Sequence, residues 1–175
     1  WSSATGAHYM RGKINEKYTA VGREAGKLGY PVTDELCGMR AGGCRQKFQH
    51  NSGHIYWSPG TGAHVVRGKI MERYAAIKAE LEPMGYPTTD EICGLKDGGC
   101  FQKFETAENT THPRAIYYSP AGGTWEVVYA GVLETWAAKG WEKGTYGYPT
   151  GQPGVNKYGK YVQKFQGGVI ETSKK

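Results

Sequence analysis

The stretch Trp57-Ser58-Pro59-Gly60-Thr61-Gly62-Ala63-His64-Val65-Val66-Arg67-Gly68-Lys69-Ile70 nearly reprints residues 1–14, Trp1-Ser2-Ser3-Ala4-Thr5-Gly6-Ala7-His8-Tyr9-Met10-Arg11-Gly12-Lys13-Ile14. The offset is 56 throughout. It holds downstream as well, where Leu28-Gly29-Tyr30-Pro31 returns as Met84-Gly85-Tyr86-Pro87, Thr33-Asp34-Glu35 as Thr89-Asp90-Glu91, and Gln46-Lys47-Phe48 as Gln102-Lys103-Phe104. A fixed period of this length marks repeat architecture, so the repeat decides the fold before any single element does.

A third, more divergent copy follows. Tyr118-Ser119-Pro120 matches Trp57-Ser58-Pro59, Gly147-Tyr148-Pro149 matches Gly85-Tyr86-Pro87, Trp136 matches Tyr74, and Gln163-Lys164-Phe165 closes the series. The copies divide as 1–56, 57–118 and 119–175. The extra residues of the longer middle copy fall in Glu105–Ala115, expected to be a polar surface loop that carries an Asn109-Thr110-Thr111 sequon. The third copy has Gly151-Gln152-Pro153 in place of Thr-Asp-Glu, and Glu126 is read in place of the histidine.

In copy two, Ala63 to about Leu81 is expected to be helical. Val66, Ile70, Tyr74 and Ile77 share one face, Thr61 stands as N-cap, and Pro83 and Gly85 end the helix. Short strands are expected at Cys44–Gln49 and His54–Ser58, joined by an Asn51-Ser52-Gly53 turn, and at Cys100–Glu105 and Ala115–Ser119. The fold class is therefore α+β: three tandem units, each one helix plus a short antiparallel sheet, stacked in series. A closed pseudo-threefold arrangement is the alternative. Units this small bury little surface alone, so neighbours must stack.

Composition agrees. Only 38% of the 175 residues are hydrophobic, while Gly reaches 27, and with 13 Tyr and 5 Trp the chain relies on turns and amphipathic rings more than on long aliphatic elements. No apolar run is long enough to span a bilayer. The net charge of +6 has no dense Lys/Arg run behind it, which disfavours a nucleic-acid partner and suits an anionic surface.

Four cysteines, Cys37, Cys44, Cys93 and Cys100, form two Cys-x6-Cys pairs. The third copy has Val155 and Tyr161 there, so both members of a pair are lost together. That favours disulfides within repeats, Cys37–Cys44 and Cys93–Cys100, in a secreted protein. Zinc is the rival, with a spacing too loose for a usual structural site.

Together these motifs, in one order at fixed spacing over essentially the whole chain, resemble the LGFP repeat family, with Tyr30, Tyr86 and Tyr148 where the name has Phe. The resemblance implies small repeat units in series and a non-catalytic module that holds an exported actinobacterial protein to peptidoglycan or arabinogalactan. It implies a secreted, cell-wall-associated location and brings no catalytic residue with it. No cofactor or metal is expected.

The candidate glycan-binding residues are Trp57, His64, Tyr86, Asp90 and Glu91 in copy two, and His8, Tyr30, Asp34 and Glu35 in copy one. Aromatic faces stack on sugar rings, and carboxylates accept hydrogen bonds from sugar hydroxyls. Each has a plainer reading: the Gly-Tyr-Pro and Thr-Asp-Glu residues as turn-formers, the histidines as local hydrogen-bonders, the aromatics as staples between units, and Gln46, Gln102 and Gln163 as ties to an adjacent loop. Copy three, without the His and the carboxylates, is expected to be a weaker or purely structural unit. Two other function classes stand beside the wall-binding one. A secreted protein-interaction or inhibitor protein would have a secreted protein partner. A cell-wall hydrolase is disfavoured because no nucleophile-elbow or zinc-protease motif is present.

Overall fold

The computed structural model describes residues 1–78, 81, 84–106 and 109–174, with the backbone alone over 109–113. Three helices alternate with three antiparallel sheets. Helix α1 (Gly12–Ala20) precedes a sheet of β1 (Leu36–Cys37), β2 (Cys44–Lys47), β3 (His54–Ser58) and β4 (Gly62–Val66), paired in that order. Helix α2 (Gly68–Ala76) precedes the second sheet, in which β5 (Tyr86–Pro87), β7 (Cys100–Thr106), β8 (Asn109–Ser119) and β9 (Gly123–Val127) pair in sequence and β6 (Ile92–Cys93) pairs with β7. Helix α3 (Ala130–Ala138) precedes a third sheet of β10 (Gly154–Val155), β11 (Tyr161–Phe165) and β12 (Gly168–Thr172). The units form an open α+β series, not a closed ring.

Each central strand serves two cores. On β3, Ile55 points into a core with Ile14, Tyr18, Leu28 and Phe48, while Tyr56 points the other way, into a core with Ile70, Tyr74, Met84 and Phe104. On β8, Ile116 joins that second core, and Ala115 and Tyr117 join a third with Trp136, Tyr148 and Phe165. Side chains alternate faces along a strand, so a strand apolar on both faces must have a layer on each side. One aromatic per later helix fills the gap between sheets. Tyr74 lies 5.3 Å from Tyr56 of the first sheet and 4.7 Å from Phe104 of the second. Trp136 lies 4.7 Å from Tyr117 and 5.2 Å from Phe165.

The same aromatic fixes the Gly-Tyr-Pro turn. The hydroxyls of Tyr18 and Tyr74 and the indole N–H of Trp136 donate to the carbonyls of Gly29, Gly85 and Gly147 at 2.9, 2.6 and 3.0 Å. Gly85 has φ +75°, and a Cβ there would stand 2.0 Å from the Glu105 carbonyl oxygen, so only glycine fits.

The helix expected over Ala63–Leu81 is a strand followed by a shorter helix. Gly62–Val66 is β4, and α2 starts only at Gly68 after an extended Arg67 N-cap that makes no side-chain capping bond. Thr61 is not the N-cap: its hydroxyl meets that of Ser58 at 2.8 Å and its amide donates to Ser58 Oγ, bracing the β3–β4 turn. Ile70 and Tyr74 are on the buried helix face as expected, and α2 closes at Ala76–Ile77, well before Gly85. Pro83 lies outside the described residues. The surface loop expected over Glu105–Ala115 is mostly strand, β7 and β8 extending into a longer hairpin, with Asn109-Thr110-Thr111 on β8; residues 107–108 are not among those described. Strand β3 occupies the expected His54–Ser58, and Asn51 and Ser52 have positive φ in the tight turn before it. Both expected disulfides, Cys37–Cys44 and Cys93–Cys100, are formed, so the four sulfurs leave no thiolate for zinc. Among the described residues no helix is long and apolar enough to cross a membrane.

Candidate functional site

Strand β4 is the outer strand of the first sheet, and an outer strand presents unpaired backbone groups. Residues of the second sheet and its connections cover them with side chains. Asp90 Oδ1 accepts the Val65 N–H at 2.9 Å, and Gln102 Nε2 donates to the Val65 carbonyl at 2.8 Å and to the Thr89 carbonyl at 2.6 Å. The same clamp stands at the start of the chain. Asp34 Oδ1 accepts the Tyr9 N–H at 3.1 Å, and Gln46 Nε2 reaches the carbonyls of Tyr9 and Thr33 at 3.1 and 2.8 Å. In the third copy Gln163 Nε2 donates to Glu126 and Gly151 at 2.7 and 3.1 Å, with no carboxylate opposite the Glu126 amide. All three glutamines are buried, and each leaves its Oε1 without a partner.

This register corrects the alignment of the third copy. Tyr9, Val65 and Glu126 are equivalent, so the residue in the histidine position is Trp125, and Glu126 replaces Val65. The hydrogen bonds agree. His8 Nε2 and His64 Nε2 meet the Thr5 and Thr61 carbonyls at 2.9 and 3.0 Å, and Trp125 Nε1 donates to the Gly122 carbonyl at 2.7 Å.

Around His64 the structure gathers Asp90 and Glu91. His64 Nδ1 is 3.5 Å from Asp90 Oδ1, a contact too long for a good hydrogen bond and an ion pair when the ring is protonated. Asp90 Oδ2 takes the Lys17 ammonium at 2.5 Å, and Glu91 pairs with Arg67 at 2.8 Å. Partial burial opposes ionisation of Asp90, but His64, Lys17 and the Val65 amide outweigh it and hold the carboxyl down to about 2. In copy one His8 Nδ1 lies 3.1 Å from Asp34, and Glu35 Oε2 accepts the Arg11 N–H at 3.2 Å.

Trp57 and Tyr86 are not part of this cluster. Trp57 pairs with Ala63 and Tyr56 with His64, so Trp57 and His64 face opposite sides of the sheet, and Trp57 packs against the first core. Tyr86 is buried in the second core, and its hydroxyl donates back to the Arg40 carbonyl at 2.7 Å. Tyr148 repeats that reach, to the Lys96 carbonyl at 2.5 Å. Each tyrosine sits against a Gly-Gly-Cys turn so closely that a Cβ on Gly43 or Gly99 would collide with its hydroxyl. Tyr30, half-buried, has no such turn to dock on among the described residues. Local sequence reading could not see these long reaches; the hint was a Gly-Gly pair before the second cysteine in copies one and two alone.

Beside the Asp90 cluster lies a cleft of about 340 Å³ between the first two units. Val21, Leu28 and Val65 give it an apolar wall, and Lys27, Arg67, Asp90 and Glu91 a charged rim. Such a recess can accept and donate hydrogen bonds while burying one apolar face of a ligand. No set of side chains in it has the nucleophile–base geometry of a hydrolase.

The model of the LGFP repeat matches residues 1–26, 28–81 and 84–144. The second and third matches begin at the Gly-Tyr-Pro turns, on Leu28 and Met84. A search of curated proteins finds no match.

Proposed function

The chain belongs to the LGFP repeat family, whose members are cell-wall-associated repeat modules, and from that premise we propose that it is a non-catalytic cell-wall-binding module. It holds an exported protein on peptidoglycan or arabinogalactan-type polysaccharide and acts outside the cell. Family membership carries this reading. Two disulfides support an oxidising compartment. A tandem array supports binding to a repeating polymer, where linked weak sites gain by effective concentration without new contacts.

Within the nine residues proposed from the sequence, Glu91 takes the direct part, at the rim of the first-junction cleft. Glu91 and Arg67 offer hydrogen bonds to sugar hydroxyls at its rim. His64 and Asp90 set the position of that rim, since both Asp90 oxygens are already engaged. Trp57 and Tyr86 act by holding the units. In copy one His8, Asp34 and Glu35 repeat the cluster.

The test is co-sedimentation of the full chain with whole wall, with peptidoglycan alone and with the polysaccharide alone. Retention on one purified fraction, released by the same glycan in soluble form, is expected. No retention on any fraction overturns the reading. Retention on whole wall that soluble glycan does not compete away points to a secreted protein partner instead.

A further inference from the structure

The third unit carries its own opening, at the place where the sequence has exchanged charge for amide. A cleft of about 550 Å³ lies between the end of the second sheet and the face of the third. Trp125, Val162 and Val169 line it, together with Gln152, Gln163 and Lys164. Its size is that of a small-ligand site. Arg73, which is not part of the wall, sits over the Trp125 ring at 4.9 Å and is itself fixed by Glu126. The indole is thus held from outside while its remaining surface borders the cleft.

Two amide side chains there keep unused hydrogen-bonding capacity. Gln163 is only 2% exposed, its Nε2 is used twice, and its Oε1 has no partner. Gln102 has the same unpaired oxygen but does not border the first-junction cleft. Gln152 has no hydrogen-bond partner among the described residues. The one carboxylate in the wall, Glu171, is paired with Lys160 at 2.9 Å and accepts a hydrogen bond from the Asn156 amide at 2.8 Å. Lys164 lays its stem along Gly151, with Cβ 3.6 Å from where a Gly151 Cβ would stand. An aromatic face beside one amide that can donate and accept, Gln152, and one whose oxygen can accept, Gln163, suits a ligand with apolar C–H faces and hydroxyls of dual character.

We propose that this cleft is a subsite for an uncharged sugar residue of the wall polymer, packed on Trp125 and hydrogen-bonded by Gln152 and Gln163. The inference rests on the wall-binding reading and adds to it a place and a ligand class. Copy three then carries a neutral-sugar site, where the absence of the His and carboxylates had pointed to a weaker or structural unit.

The experiment is calorimetric titration of the full chain with two probes, soluble arabinogalactan fragments (neutral) and a muramyl peptide (anionic). Binding of the arabinogalactan fragments is expected. Trp125→His installs the residue that copies one and two use, keeps a ring nitrogen for the Gly122 carbonyl, and removes the stacking face. It should weaken that binding at least tenfold. Gln152→Ala, at an exposed position that leaves folding intact, should weaken it several-fold with an unchanged melting temperature. Wild-type affinity in both variants overturns the subsite, as does binding of the muramyl peptide alone. If the wild-type chain is still retained on whole wall in that case, the wall-binding reading survives the loss of the subsite. If the wild type is retained on nothing, both fall.

Discussion

The junction of the first and second sheets and that of the second and third share one frame and are finished with different side chains. In both, a buried glutamine of the later unit holds the outer strand of the earlier one, and a tyrosine reaches back to a turn. The charges differ. At the first junction the helix cation is Lys17, and its carboxylate, Asp90, belongs to the later unit. At the second the helix cation is Arg73, and its carboxylate, Glu126, stands on β9, the outer strand of the earlier sheet. The carboxylate lost at Gln152 has in effect reappeared across the interface. The consequence is a difference in burial. The Asp90 side chain is 41% exposed and its cleft is rimmed by charge, whereas Glu126 is 7% exposed, bidentate to Arg73, and the cleft beside it is left to amides and an indole. What is constant at the junctions is the backbone clamp; the position of the ion pair is free to move, and with it the chemistry of the adjoining recess.

The sharpest test of that contrast is removal of each acid. Glu126→Ala strands Arg73 in a mostly buried setting and should cost about 3 kcal/mol in denaturant unfolding. Asp90→Ala, in a half-exposed pair, should cost about 1 kcal/mol, chiefly from the lost Val65 amide bond. Equal losses would mean that the two junctions are electrostatically alike.

Reduction comes next. Each disulfide should contribute roughly 2–3 kcal/mol, so Cys37→Ser with Cys44→Ser, and separately Cys93→Ser with Cys100→Ser, should each lower the unfolding midpoint. Amide exchange in the third sheet's β11–β12 hairpin, which holds no cysteine, should change less than in the sheet that loses its bridge.

Smaller again is the tyrosine hydroxyl. Tyr86→Phe and Tyr148→Phe should each lose about 1 kcal/mol, because the carbonyls of Arg40 and Lys96 lose a donor. Tyr30→Phe should be neutral in thermal melts; a loss as large as at Tyr86 would reveal a partner for its hydroxyl.

The smallest effect is acid sensitivity of the first junction. Asp90 ionises at about 2 in the folded chain against an ordinary 3.8, so its charge stabilises the fold above the ordinary value and that contribution disappears as pH falls through about 2. Solvent screening limits it to a few tenths of a kcal/mol. The wild-type melting temperature should therefore fall slightly more than that of Asp90→Asn between pH 4 and pH 2.

Much of this architecture could be read in the sequence because its signals are local and repeated. The offset of 56, the Ile70–Tyr74 helix face, the His54–Ser58 strand and the joint loss of cysteines each needed only neighbouring residues or a comparison of copies. The first error came where two periods overlap. Val66 and Ile70 are four apart, as on a helix, but Val66 ends β4 and Ile70 lies in the first turn of α2, which Gly68 opens at φ +58°. The second came from a one-residue slip in the divergent copy, which hid Trp125 behind Glu126; the Tyr118-Ser119-Pro120 match already sets Trp125 opposite His64, and the strand register agrees. The partners of Tyr86 and Gln102 were illegible for another reason. They lie 46 and 37 residues away, and no propensity or turn rule carries information over that distance.

The bridged loops are also the loops that the tyrosines grip. Cys37–Cys44 encloses the turn that receives Tyr86, and Cys93–Cys100 the one that receives Tyr148. The third copy's loop, with no tyrosine docked on it among the described residues, has no bridge and carries Lys160 where its predecessors have glycine. The covalent bond therefore belongs as much to the joint as to the unit that contains it. Pulled from its two ends, an oxidised chain would carry load from sheet to sheet through stiff couplings. In a reducing medium the same chain would keep its sheets and lose rigidity at the couplings, so the redox state of its surroundings would set how far the module bends under tension.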